Sequence, residues 1–192
     1  MNYYLFIILL LLLIWRNNIY QNEIFIVSQV DGKSYLVKGG FEDYQQASDV
    51  LSRLNAINKR LISHMEKKYG GNKYKDNIDS LTKNYDENVI AENIPFGTIN
   101  TSYVLNKGDA IRICLRDPAT KKIHDFDILL FVNLHELSHI FDTGWGHEKD
   151  FWNGFKVILE NAKEIGVYNP VDFRKYPRRY CGMVINSNPY FS

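Results

Sequence analysis

The sequence is poor in cysteine and histidine and carries almost no net charge. Its 192 residues include 2 cysteines and 5 histidines, and 23 basic side chains oppose 22 acidic ones, which gives a net charge of +1. A nearly neutral chain has no general attraction for phosphate backbones. The one dense basic cluster, Arg174-Lys175 with Arg178-Arg179, is interpreted as a solvated surface. We therefore expect no clear nucleic-acid-binding surface.

The two cysteines indicate little about the redox compartment. Cys114 lies between Ile113 and Leu115 in an apparent strand, a position typical of a small buried apolar residue, and Cys181 lies in the C-terminal tail. The sequence leaves open whether the two form a disulfide. Internal repeats and low-complexity segments are also lacking. About 170 residues follow the N-terminal segment, enough for one hydrophobic core and too few for two ordinary domains.

The run Tyr3–Trp15 contains no charged residue and ends at Arg16-Asn17-Asn18. It is shorter than the roughly 20 residues that span a bilayer comfortably, so both a signal-peptide core and a thin or tilted anchor fit its length. No Lys or Arg precedes the run and no small-residue cleavage site follows it, which favours an uncleaved anchor. We expect residues 1–20 to form a single-pass transmembrane helix, with either orientation open, and residues 21–192 to form one domain.

The motif His135-Glu136-Leu137-Ser138-His139 lies within the apolar segment from Phe126 to Phe141. Residues four apart lie on the same face of a helix, so His135 and His139 can bind one metal ion with Glu136 beside it. A catalytic zinc site needs a third protein ligand, and His147 follows two helix-breaking glycines. The helix is apolar over most of its surface, where two imidazoles and a carboxylate need a compensating partner such as a divalent cation. The motif therefore predicts a Zn²⁺ site.

The rest of the chain has a mixed α and β pattern. A first hairpin, Ile24–Val30 with Lys33–Lys38, is predicted around the two-residue turn Asp31-Gly32. A long core helix over Ala47–Met65 should end at Gly70-Gly71, and residues 72–96 should form loops with at most a short helix. The sequence also predicts a hairpin of Tyr103–Leu105 with Ile111–Leu115, followed by the helix Phe126–Phe141 that carries the metal-binding motif. An amphipathic helix is predicted from Phe151 to Ala162.

From about Tyr44 to Trp152 the chain resembles the WLM/SprT-like zinc metallopeptidases, compact zincins related to DNA-repair proteases. The most specific parts are Ile111-Arg112-Ile113-Cys114-Leu115-Arg116, the His135 to His139 motif, and Gly146-His147 followed by Phe151-Trp152. The resemblance implies that His135, His139 and His147 bind zinc and that Glu136 is the general acid/base. It further implies a minigluzincin-like α+β zincin domain, with a small sheet packed on the active-site helix.

The tail is similar to that of metallopeptidase-like membrane proteins of large DNA viruses, through Tyr176-Pro177, Tyr180-Cys181-Gly182 and Asn188-Pro189. Candidates for a second oxyanion donor lie in the same region, and by chemistry alone they are Tyr168, Tyr176, Arg178 and Tyr180. In the zincin class a strand beside the metal helix offers its free edge to an extended peptide. Here that edge would belong to the hairpin before the helix, although both strands could equally be core.

These observations predict a membrane-anchored zinc metallopeptidase that acts on a peptide or protein substrate, with an undetermined oligomeric state. Glu136 would take a proton from the attacking water at zinc and pass it to the leaving amine. One alternative is a non-proteolytic zinc-containing membrane or virion structural protein, against which the retained Glu136 argues. A second alternative is a DNA-linked repair protease, against which the neutral charge and the apolar N-terminus argue.

Overall fold

The computed structural model describes residues 3–20, 23–71, 73–93 and 101–192 of the chain. Within these residues, five α-helices and three small sheets form a mixed α+β arrangement. The helices are α1 (Tyr3–Tyr20), α2 (Tyr44–Tyr69), α3 (Lys75–Asn84), α4 (Phe126–Phe141) and α5 (Lys149–Glu164). The strands are β1 (Glu23–Val27), β2 (Ser34–Lys38), β3 (Ile90–Glu92), β4 (Tyr103–Leu105), β5 (Ala110–Ile113), β6 (Arg178–Tyr180) and β7 (Met183–Ile185).

The predicted transmembrane helix is wrong. Helix α1 has 18 residues, but no helix among the described residues is long and apolar enough to cross a membrane. At about 1.5 Å per residue, the apolar run Tyr3–Trp15 reaches about 20 Å, whereas the hydrocarbon core of a bilayer is about 30 Å thick. The single-pass membrane localisation and the membrane contact through this segment are therefore unsupported. The predicted domain boundary falls at residues 21 and 22, which lie outside the described residues.

Helix α4 has the bounds that the sequence predicted and is the centre of the core. Twelve of its 16 residues are buried, because it packs against α2, α3 and α5 and against strands β4 and β5. A helix that is apolar on nearly every side needs such neighbours on nearly every side. Helix α2 ends at Gly70, as predicted, and α5 encloses the predicted segment from Phe151 to Ala162.

The three-stranded sheet has the order β3-β5-β4. The predicted hairpin is present, since β4 pairs antiparallel with β5 from Tyr103↔Arg112 to Leu105↔Ala110. Strand β3 was not predicted; it pairs parallel with β5, with Ile90 opposite Ile111, and all three of its residues are buried. The region predicted as loops with a short helix thus also contains a strand, while residues 94–100 lie outside the described part. In the described sheet β4 is an edge strand.

The predicted two-residue turn at Asp31-Gly32 is wrong. Strands β1 and β2 pair only as far as Val27↔Ser34, so residues 28–33 form a longer connection. Side-chain hydrogen bonds explain the longer connection. The Ser28 hydroxyl donates to the Asp49 carboxylate of α2 at 2.7 Å, and this bond ties the loop to that helix. Within the loop, the Asp31 carboxylate accepts from the Lys33 amide at 3.0 Å.

A disulfide joins the C-terminal hairpin to the end of the three-stranded sheet. Strands β6 and β7 meet at the two-residue turn Cys181-Gly182, whose φ angles of 45° and 81° suit a type I′ turn. Cys181 is bonded to Cys114, which directly follows β5, with the Cα atoms 6.4 Å apart. The bond that the sequence left open therefore fixes the hairpin against the sheet.

Replacing both cysteines by alanine should lower the free energy of unfolding by about 2–4 kcal/mol, because a bridge across a long loop restricts the unfolded chain. The bonded cysteines are 67 residues apart. Urea unfolding of the full chain, parent against Cys114→Ala/Cys181→Ala, measures the loss. Two reactive thiols in the unreduced, denatured parent would contradict the bond, and equal unfolding free energies would contradict its stabilising role.

Candidate metal centre

Three imidazoles converge at one point. His135 and His139 lie one turn apart on α4, and their Nε2 atoms are 3.3 Å apart. His147 lies in the connection between α4 and α5, and its Nε2 is 3.1 Å from each of the other two. Gly146 precedes it with φ of 80°, a left-handed conformation that favours glycine. The three histidines predicted from the sequence thus form a group that could hold a metal ion.

Aromatic side chains of α5 hold the imidazole rings in place. The ring of Phe151 stacks on His139 with centroids 4.4 Å apart, and that of Trp152 stacks on His147 at 5.6 Å. The edge of Phe155 meets His135 at 5.3 Å. Burial lowers the pKa of His135 to about 3 and that of His139 to about 4, so both rings are neutral at pH 7. Neutral imidazole is the form that binds metal ions.

Glu136 is buried beside the histidine cluster. It is 4 % exposed, and burial raises the pKa of its carboxyl to about 8. Tyr180 of β6 lines the same cavity, and burial, with a smaller effect of the Glu136 charge, raises the pKa of its hydroxyl. The Tyr180 hydroxyl shares a hydrogen bond of 2.5 Å with the Ser102 hydroxyl, which also accepts from the Cys114 amide at 2.9 Å. The disulfide, the sheet and the hairpin thus meet next to Glu136.

The histidines and Glu136 line a cavity of about 510 Å³. Its other walls come from β4, from the turn after β4, from the loop before His147, from α5 and from β7. The lining residues include Tyr103, Val104, Lys107, Trp145, Met183 and Val184. A cavity of this size, mostly apolar with a few convergent polar groups, is typical of a binding site.

Of the four candidate oxyanion donors, the structure places only Tyr180 in the cavity wall. Tyr168 is buried elsewhere, where its hydroxyl accepts from the Asn188 amide at 2.8 Å. Tyr176 and Arg178 are exposed. The sequence assigned neither Ser102 nor Lys107 to the site, because no local pattern relates either residue to the histidine motif. Asp125 is the N-cap residue of α4, but its side chain makes no capping hydrogen bond.

No family model matches the chain, and no solved structure matches it significantly. An uncharacterized protein of Acanthamoeba polyphaga mimivirus is 28% identical over 168 residues, which cover 85% of this chain and 83% of that protein. Uncharacterized proteins of Invertebrate iridescent virus 3 and Invertebrate iridescent virus 6 are 35% and 30% identical over 82 residues. This chain spans 50% and 44% of those two proteins. The minigluzincin-like fold therefore gains no support from a solved structure.

Because each imidazole offers one ligand atom, we expect His135→Ala and His139→Ala to abolish stoichiometric divalent metal binding and His147→Ala to weaken it strongly. Dialysis of the full chain against Zn²⁺ or Co²⁺, followed by elemental analysis, measures the bound metal. His64→Ala on α2 is the control, since His64 lies outside the cluster. Unchanged affinity in His147→Ala would contradict the third ligand and point to Glu148 or Asp150.

Proposed function

We propose that the protein is a zinc-dependent peptide hydrolase, with His135, His139 and His147 as zinc ligands and Glu136 as general acid/base. The observation that carries the proposal is the convergence of three imidazole nitrogens, 3.1–3.3 Å apart, next to a buried carboxylic acid in the wall of a cavity. Tetrahedral zinc bonded to imidazole nitrogens at about 2.0–2.1 Å holds them about 3.3 Å apart. The donor set therefore fits zinc.

The chemistry follows from the neighbouring charges. Zinc in this site would lower the pKa of a bound water to about 7 and polarise a substrate carbonyl. Glu136 accepts the proton of the attacking water and returns it to the leaving amine. Its raised pKa of about 8 suits a group that must both accept and donate near neutral pH. A nearby cation favours the carboxylate form, which is the form that acts as the base.

Strand β4 is the proposed site for the substrate backbone. Within the described residues it pairs only with β5, and Tyr103 and Val104 of the strand line the cavity. An extended peptide can add to such an edge through main-chain hydrogen bonds. Leu105 is 49 % exposed, which favours an open edge over the alternative that both strands are core. A peptide on this edge would pass the histidine cluster in the same cavity.

The resemblance to WLM/SprT-like zinc metallopeptidases supports the proposal through the same residues.

The competing function, a structural zinc site, fits less well. Structural zinc is almost always enclosed by four protein ligands, whereas the group found among the described residues has three, and all three line an open cavity. A catalytic site requires that open fourth position, and a structural site does not require Glu136.

Glu136→Gln should retain zinc and the fold while reducing peptide hydrolysis by about 10²–10⁴-fold, because it preserves size and removes the base. The measurement compares turnover of a peptide or protein that the parent cleaves, after equal zinc contents are shown. The matched control is Glu160→Gln on the exposed side of α5, which should cleave as the parent does.

Equal turnover by the parent and Glu136→Gln would remove Glu136 from the mechanism. Stoichiometric zinc in the parent without cleavage across a broad library of extended peptides would instead favour the non-proteolytic role.

A further inference from the structure

The turn between β4 and β5 carries a lysine that reaches the loop holding His147. Asn106 and Lys107 adopt φ angles of 45° and 63°, which are uncommon for residues other than glycine. Gly108 follows with φ of 140°, and a Cβ atom there would overlap the main-chain carbonyl oxygen of Asn84 at the end of α3. The turn therefore packs closely against the end of α3, and this packing fixes the backbone from which the Lys107 side chain extends.

The Lys107 ammonium contacts the loop after α4 at several points. It donates to the main-chain carbonyl of Asp142 at 2.6 Å and also to that of Gly144. The Asp142 carboxylate lies 4.0 Å away, and the ammonium lies 5.3 Å from the centre of the Trp145 ring. The side chain of Lys107 is only 17 % exposed. These contacts involve three residues of the connection between His139 and His147.

The other contact of that connection is at His147, whose ring packs on Trp152 of α5; within the described residues, the backbone of residues 143–146 accepts a hydrogen bond only from Lys107. Residues 143–147 are exposed and lie outside the helices and strands, and Trp145 is 75 % exposed. His147 itself is exposed, while the other two histidines are partly buried on a rigid helix. A metal-binding side chain on an exposed loop loses conformational freedom when the metal binds, and this loss has an entropic cost. Order already present in the free protein lowers that cost. A half-buried ammonium that donates to two loop carbonyls supplies such ordering.

We propose that Lys107 is a positioning residue that preorganises His147 for metal binding. It does so by fixing the loop backbone, without bonding to the metal. The proposal rests on the metal centre of the proposed function but does not require peptide hydrolysis. Its effect should resemble that of other groups that orient metal ligands from outside the coordination shell, whose loss costs about 10–100-fold in metal affinity.

The test compares zinc affinities of full-length variants by competition with a chromophoric chelator. Lys107→Met retains the length of the side chain and removes the donors, and we expect it to bind zinc about 10–100-fold more weakly. Lys121→Met is the matched control, since Lys121 also has a positive φ, of 62°, and donates to a main-chain carbonyl, that of Pro118, at 2.6 Å. It lies outside the cavity wall and should bind zinc as the parent does.

A double-mutant cycle separates positioning from general stabilisation. If Lys107 acts through His147, adding Lys107→Met to His147→Ala should change zinc affinity little further. A shifted visible spectrum of the Co²⁺ form of Lys107→Met would report the altered ligand geometry, which a loss of stability alone would not produce. If Lys107→Met does not fold, Lys107→Leu, which also lacks donors, replaces it under the same criteria.

Parent-like affinity and an unchanged Co²⁺ spectrum in the folded Lys107 variant would overturn the proposal. So would full additivity of the two substitutions in the cycle. A parent that binds no zinc would instead overturn the proposed function, so the two failures are distinguishable.

Discussion

The structure depends on helix α4 being buried on almost every side while carrying polar residues. Away from the cavity these residues are satisfied within the protein. Asn133 forms a reciprocal amide pair with Asn58 of α2, at 3.1 and 2.6 Å, and Ser138 donates to the Leu134 carbonyl one turn earlier at 2.7 Å. Asp127 in the first turn is exposed, and the remaining polar groups, two imidazoles and the Glu136 carboxyl, line the cavity. Because buried polar groups need partners, this division explains why the helix has its functional groups on one face.

The elements around α4 hold the two sides of the site by different means. On one side, aromatic rings of α5 pack on the imidazoles, and the α4–α5 connection brings His147 to them. On the other side, the disulfide at Cys181 ties the β6–β7 hairpin to the sheet, and Tyr180 lines the cavity together with Glu136. A hairpin of two three-residue strands is marginal by itself, so the covalent link to the sheet explains how it forms a defined cavity wall.

The sequence predicted α4 and the three histidines because the signals were local: a long apolar segment, a four-residue spacing of two histidines and a third histidine soon after the helix. What it missed depends on tertiary contacts. Strand β3 is buried on both faces and has only three residues, so it shows no alternation, and its partner β5 lies 20 residues later. The bond between Cys114 and Cys181 spans 67 residues. The role inferred for Lys107 depends on the contact between the β4–β5 turn and the loop that joins α4 to α5. The predicted membrane span was wrong because no helix among the described residues is long and apolar enough to cross a bilayer, and the run Tyr3–Trp15 is shorter than a bilayer requires.

The exposed surface around the cavity bears on the kind of ligand. Trp145, Trp152, Met183 and Val184 all line the cavity, yet each is between 41 % and 75 % exposed. Large apolar side chains exposed together around one cavity are typical of a site that binds a partner or ligand. A small polar molecule bound at the histidines would leave these side chains in water, whereas an extended polypeptide on β4 would bring its own apolar side chains against them. The distribution of apolar surface therefore favours a polypeptide segment with apolar side chains as the substrate of the proposed hydrolase.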